Sequence, residues 1–139
     1  MQDARAQGAR IVCGGQRLDR PGYFYAPTIV AGLSNGARLV DEEQFGPVMP
    51  VLKYKTLDEA IARANSSEYG LGATVWSASN DRAYEVAMKL ETGTVWINKH
   101  LDLPPDVPYG GTKQSGYGVE LGQQGVEEFT QVKIINLPK

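Results

Sequence analysis

Apolar positions recur along the chain with a helical period in two places. Leu57, Ala60, Ile61 and Ala64 share one face behind Thr56 and Glu59, a capping-box pair that marks a helix start. Ala83, Val86, Ala87 and Leu90 form a second stripe, capped by Ser79 or Asn80 and ending before Gly93. Residues 71–77 (LGATVWS) and 94–98 (TVWIN) are short apolar runs that read as strands. Helix, strand, helix, strand at this spacing predicts an α/β fold with a mainly parallel sheet and flanking helices.

The remaining segments are shorter. Residues 1–8 (MQDARAQG) predict two helical turns stopped by Gly8, the tail of a longer helix whose beginning is missing. Residues 9–13 (ARIVC) read as a strand closed by Gly14 and Gly15, and residues 23–31 as an extended segment that Pro27 makes an edge or interrupted strand. Asn35-Gly36 marks a turn, and residues 48–54 form a strand in which Pro50 again argues for an edge or a bulge. Residues 99–118 hold prolines and glycine pairs without periodicity, so a long functional or mobile loop is expected. Residues 120–129 permit a short helix, and residues 130–137 (TQVKIINL) predict a final strand whose edge something must cover.

Composition narrows the chemistry. The 139 residues are 42% hydrophobic with a net charge of −2, as expected of a soluble globular domain. No repeat or linker divides the chain. The absence of a basic surplus argues against a nucleic-acid partner. No apolar run reaches the roughly 18 residues of a membrane span, and the first residues lack a signal-peptide core. One cysteine, Cys13, forbids an internal disulfide and fits a cytoplasmic setting, which leaves the Asn65-Ser66-Ser67 sequon idle. With one histidine, His100, no Cys/His metal site can be assembled.

The glycine patterns fail as phosphate loops. Gly116-Tyr117-Gly118 lacks the third glycine of a dinucleotide fingerprint, and the residues around Gly111 and Lys113 miss the P-loop spacing. The string EEQFGPV at 42–48 says more. Two glutamates before an aromatic are usually a solvated acidic surface. In the functional alternative, one carboxylate accepts hydrogen bonds from paired hydroxyls such as those of a nucleotide ribose. The phenyl ring then packs beside it, and Gly46-Pro47 turns both side chains toward one cleft.

That string, with YGLGATVWS at 69–77, GTVWIN at 93–98, PYGGTKQSGYGVELG at 108–122 and EEFTQVKIINLPK at the end, resembles the late part of the aldehyde dehydrogenase superfamily in order and spacing. The resemblance covers the carboxyl-terminal part of such an enzyme. It divides the chain into residues 1–129, part of the catalytic domain, and 130–139, an oligomerisation strand. In the family a nucleophilic cysteine attacks the aldehyde, hydride passes to NAD(P)+, and water hydrolyses the thioester. The nucleophile, the general base and the Rossmann domain lie upstream in family members, so no residue here is assigned as catalytic or as a metal ligand. Cys13 lies in RIVCGG, an ordinary strand in the family, and is expected to be a buried structural thiol.

Residue by residue, the resemblance assigns Glu43 to the cofactor ribose and Phe45 to the nicotinamide side. It makes the 98–106 loop the aldehyde-entrance wall, lined by His100, Leu101 and Leu103. His100 is read there as a pocket or surface residue rather than a base. Tyr109 stands where many members have phenylalanine and adds a hydroxyl to the pocket. Glu120 is either a supporting carboxylate near the active-site water or a helix N-terminal acid. Lys113 is by default solvated, and otherwise holds a loop or faces a partner.

Two functions follow. In the first, the chain contributes cofactor and pocket contacts to NAD(P)-dependent aldehyde oxidation, while the polypeptide alone is inactive and binds no dinucleotide tightly. In the second, it is a non-catalytic module that self-associates through its last strand or joins the missing amino-terminal part. Partners are thus expected to be a second copy or that part, with no membrane involved.

Overall fold

The protein is described by a computed structural model over Met1–Pro138. The chain forms two compact units, Met1–Ala60 and Ile61–Lys139, with the boundary inside a helix rather than at a linker.

In the first unit, α1 (Gln2–Ala6) ends ahead of Gly8, whose φ of +79° stops it as expected. Strands β1 (Arg10–Cys13), β2 (Thr28–Ala31) and β3 (Val48–Val51) form a sheet in that order. The β1–β2 pairing is antiparallel, with a register shift between Ile11 and Cys13; β2–β3 is parallel, with Val30 opposite Pro50. Pro50 thus lies on an edge strand, where its missing N–H costs no ladder bond. Pro27 misled the reading of 23–31: β2 is the central strand, and the proline only precedes its first paired residue, Thr28.

The alternation along β2 places Thr28 and Val30 in the core with Ala4 and Ala37. Full burial of a valine of this kind contributes about 1.5–3 kcal/mol. The Thr28 hydroxyl is satisfied there, accepting from the Gly15 amide at 2.7 Å and donating to the Ala26 carbonyl at 2.7 Å. Gly14 is required at this point. Its φ is +69°, and a Cβ would sit 2.2 Å from the Pro27 carbonyl oxygen. The turn at Asn35-Gly36 leads into α2 (Arg38–Asp41), a single helical turn not expected from the sequence.

Helix α3 (Leu57–Asn65) starts at its capping residues: Thr56 Oγ1 accepts from the Glu59 amide at 3.2 Å. The Glu59 carboxylate reaches back to the Lys55 amide at 2.8 Å.

The second unit continues through β4 (Tyr69–Gly70), β5 (Gly72–Val75), α4 (Asn80–Ala87) and β6 (Thr94–Ile97). Ser79 is the cap of α4, and its hydroxyl accepts from the Arg82 amide. β5 and β6 pair in parallel around α4, the expected βαβ unit, with Ala83 and Trp96 buried. The 99–118 stretch is not wholly irregular. It carries β7 (Tyr109–Gly110), which pairs antiparallel with β9 (Val119–Glu120), and β8 (Thr112–Lys113), which pairs antiparallel with β4. Helix α5 (Gly122–Glu127) follows.

The class is α/β, yet the single mainly parallel sheet resolves into four small ones in which the two parallel pairs sit beside three antiparallel pairs. Residues 130–138 form no ladder among the described residues, so the expected final strand is not formed there. Val132, Ile134, Ile135 and Leu137 are exposed.

Candidate functional site

Glu42 and Glu43 leave α2 side by side but face different chemistry. Arg38 and Glu42 are four residues apart across the helical turn, and the guanidinium grips the carboxylate with two bonds, Nε to Oε1 and Nη2 to Oε2, both 2.8 Å. That hydrogen bond, ahead of the attraction between the charges, holds the Glu42 carboxyl below its ordinary range; the same pairing raises Arg38. Glu43 makes no hydrogen bond or ion pair among the described residues and is exposed. It lines an open cavity of about 190 Å³ with Met1, Asp3, Arg38, Glu42 and Gln44.

Phe45 follows, 94% exposed, and is not in the wall of that cavity. The Gly46-Pro47 turn is tight, with the Val48 amide donating to the Gly46 carbonyl at 2.8 Å. It is tied to the sheet by the Thr28 amide on the Pro47 carbonyl at 2.8 Å. The Gln44 amide group donates to the Val48 carbonyl at 3.0 Å, closing the same turn from its other end. One glutamate and one phenyl ring are therefore presented from a backbone fixed to β2 and β3.

The expected pocket residues lie in the second unit. Trp96, buried on β6, gathers two of them: His100 meets it edge-on at 5.6 Å between ring centroids, and Tyr109 lies tilted at 6.2 Å. His100 Nδ1 is 2.7 Å from the Thr74 hydroxyl, and the Trp96 indole N–H donates to the Asp102 carbonyl at 2.7 Å. Leu101, with φ +52°, and Leu103 are exposed on the loop. Glu120 is exposed on β9 directly opposite Tyr109. It precedes Leu121, the N-cap of α5, and so falls outside the first helical turn.

Lys113 is not a solvated lysine. Its ammonium donates to the carbonyls of Asn65 at 2.6 Å and Ser67 at 3.2 Å and pairs with Glu91 at 2.9 Å. Asn65 is engaged too, donating to the Lys89 carbonyl at 2.7 Å and accepting from the Glu91 amide at 2.9 Å. The sequon asparagine is therefore a tie between α3 and the segment entering β6.

Cys13 corrects the expectation of burial. The thiol is exposed, because β1 is an edge strand whose side chains are mostly open to solvent, and its sulfur is 3.9 Å from the Pro27 carbonyl. Among the described residues no group of three or more His, Cys, Asp or Glu gathers as metal ligands would. No described helix is long and apolar enough to cross a membrane.

A sequence model described as the aldehyde dehydrogenase family matches residues 1–135. The chain belongs to the aldehyde dehydrogenase family. It is 46% identical over 135 residues to a betaine aldehyde dehydrogenase of Cereibacter sphaeroides, covering 97% of this chain and 28% of that protein. The fold matches a Staphylococcus aureus betaine aldehyde dehydrogenase solved in complex with NAD+, at TM-score 0.87 and 45% identity over 93% of this chain and 26% of that one. It also matches a Streptococcus pyogenes succinic semialdehyde dehydrogenase solved with NADP+ as the cofactor, at TM-score 0.90 and 42% identity, over 99% of this chain and 30% of that one. The chain thus spans little more than a quarter of the length of these aldehyde dehydrogenases.

Sequence reasoning missed Arg38, Thr74 and the roles of Trp96, Asn65 and Asn98. An Arg four residues before a Glu was the available signal for the first. An asparagine at the end of a strand, before a proline-rich loop, was the signal for the last.

Proposed function

We propose that this chain supplies cofactor and substrate contacts for NAD(P)-dependent oxidation of an aldehyde to a carboxylate. Glu43 accepts hydrogen bonds from the cofactor ribose, and Phe45 packs on the nicotinamide side. His100, Leu101, Leu103 and Tyr109 line the aldehyde entrance, and Glu120 supports the pocket from β9. One observation supports the reading: of two adjacent glutamates, Glu42 is consumed by Arg38, and Glu43, two residues before the exposed Phe45, is left unpaired among the described residues. A carboxylate that is to bind two hydroxyls must have its oxygens open, and only Glu43 does.

The mechanism open to these residues is binding and orientation. The Glu43 carboxylate, accepting from two hydroxyls, would fix a bound ribose in rotation, and the Phe45 ring would pack toward the nicotinamide end, so the two would orient the hydride acceptor. The nicotinamide, when bound, supplies the hydride-accepting carbon. The covalent step needs a thiolate nucleophile, and among the described residues the sole cysteine has no cationic or basic side chain bonded to it. The 139-residue polypeptide by itself therefore oxidises no aldehyde and holds no dinucleotide tightly. A free exposed thiol suits the reducing cytoplasm we assign it.

A chimera tests this. The corresponding stretch of the Staphylococcus aureus enzyme is replaced by this chain, and aldehyde oxidation is measured. Glu43→Gln should raise KM for the dinucleotide roughly tenfold, the loss of one charge-assisted contact. Glu42→Gln should leave it nearly unchanged. Equal effects of the two substitutions would refute the assignment.

A second reading is favoured by the exposed apolar tail. Val132 is 91% exposed and Ile134 78%, on a segment with no ladder partner among the described residues. In that reading a second copy, or an amino-terminal portion of the enzyme, adds a strand to it.

A further inference from the structure

Asn98 ends β6 and begins the loop that carries His100. Its backbone amide donates to the Val75 carbonyl at 2.9 Å, the last rung of the β5–β6 ladder. Its side chain then extends that ladder. The carboxamide oxygen accepts from the Ser77 amide at 2.9 Å, and the carboxamide nitrogen donates to the Ser77 carbonyl at 2.9 Å. The group thus pairs with both backbone polar atoms of Ser77 as a neighbouring peptide would. The same nitrogen also donates to the Asn80 side-chain oxygen at 3.1 Å, at the first residue of α4.

With the side chain spent on the strand, the backbone can turn away. Asn98 has φ +53°, a left-handed conformation that asparagine tolerates better than most residues. Leu101 repeats it at +52°, where a leucine is strained. Between them, His100 is set on the Thr74 hydroxyl and packs T-shaped against Trp96, and Lys99 pairs with Asp102, whose carbonyl receives the Trp96 indole. A left-handed leucine persists only where neighbouring bonds over-determine it. Here those bonds begin at Asn98.

We infer that Asn98 is the positioning residue of the aldehyde-entrance wall: its carboxamide locks the loop onto Ser77, just past β5, and onto Asn80 at the start of α4, and thereby sets the place of His100 against Thr74 and Trp96. Asn98 touches no substrate in this account; it acts through His100. Its functional meaning rests on the pocket reading of residues 98–106, but its geometry does not.

The test is therefore structural and uses the full chain. In the wild type, NMR should show the Asn98 side-chain amide protons exchanging slowly and a single tautomeric signature for the His100 ring. Freely exchanging Asn98 amide protons would overturn the proposal with no variant made. Asn98→Gly keeps the left-handed backbone and removes the carboxamide. It should speed exchange of the Ser77 amide and the Trp96 indole proton roughly tenfold and average the His100 signals. The Ala73 and Val95 amides, within the ladder, should keep their rates. Wild-type His100 and Trp96 signatures in Asn98→Gly would contradict the inference. A sound result here with an inactive chimera would fault the pocket assignment and leave the positioning role intact.

Discussion

The Lys113 ammonium lies 2.9 Å from a Glu91 carboxylate oxygen while also donating to the carbonyls of Asn65 and Ser67. One cation thereby joins β8, the end of α3 and the approach to β6. Lys113 holds a left-handed backbone, φ +55°, to make that reach, and its side chain is only 25% exposed. Lys113→Met keeps the apolar stem and removes the donor. It should lower the unfolding free energy by about 1–3 kcal/mol, as expected for bonds from a charged donor. Glu91→Gln, whose side chain is mostly exposed, should cost less than about 1 kcal/mol because both carbonyl contacts survive. Urea unfolding of the three proteins checks the order.

Gly93 sits where no side chain fits. A Cβ there would lie 1.8 Å from the Gly110 carbonyl oxygen, and its amide donates to the Gly70 carbonyl at 3.0 Å. Gly93→Ala should force β6 away from β7 and destabilise the chain by about 3 kcal/mol or more, at the upper end for overpacking against backbone. Loss of a cooperative transition in the same urea experiment would agree; wild-type stability would not.

Arg38 holds Glu42 below its ordinary titration range, chiefly through their hydrogen bond. A carboxyl depressed in the folded state contributes stability at neutral pH that is lost as pH falls through its folded value. The Glu42 carboxyl carbon, followed by NMR, should therefore titrate below the usual glutamate range and move up in Arg38→Gln. No change on removing the guanidinium would show that the pair does not form in solution.

The tail predicts association. Replacing Val132 and Ile134 with aspartate should abolish any concentration-dependent dimer seen by sedimentation, because charges on an edge strand block strand addition. A strictly monomeric wild type at high concentration would remove the self-association reading.

Much of this was legible in the chain. Helices α3 and α4 each carry an apolar stripe and a side-chain cap, and both signals survive in the structure. The parallel β5–β6 pair around α4 followed from their alternation. Helix α2 was not legible: four residues have no periodicity to read, and with it went the Arg38–Glu42 pair that decides between two glutamates. Residues 130–137 have strand propensity, but a strand also needs a partner, which propensity does not supply. The short apolar run around Cys13 implies a buried thiol, yet an edge strand of a small sheet has too little above it to bury it. The loop after β6 was read as irregular because its order comes from side chains, Asn98 and Trp96, rather than from a repeating pattern.

The central proposal is that this polypeptide supplies cofactor and substrate contacts but not the covalent step of aldehyde oxidation. The purified chain, incubated with an aldehyde and NAD+ or NADP+, should yield no reduced cofactor above buffer, and Cys13→Ser should behave identically. Steady formation of NADH or NADPH that disappears in Cys13→Ser would contradict the account at its root.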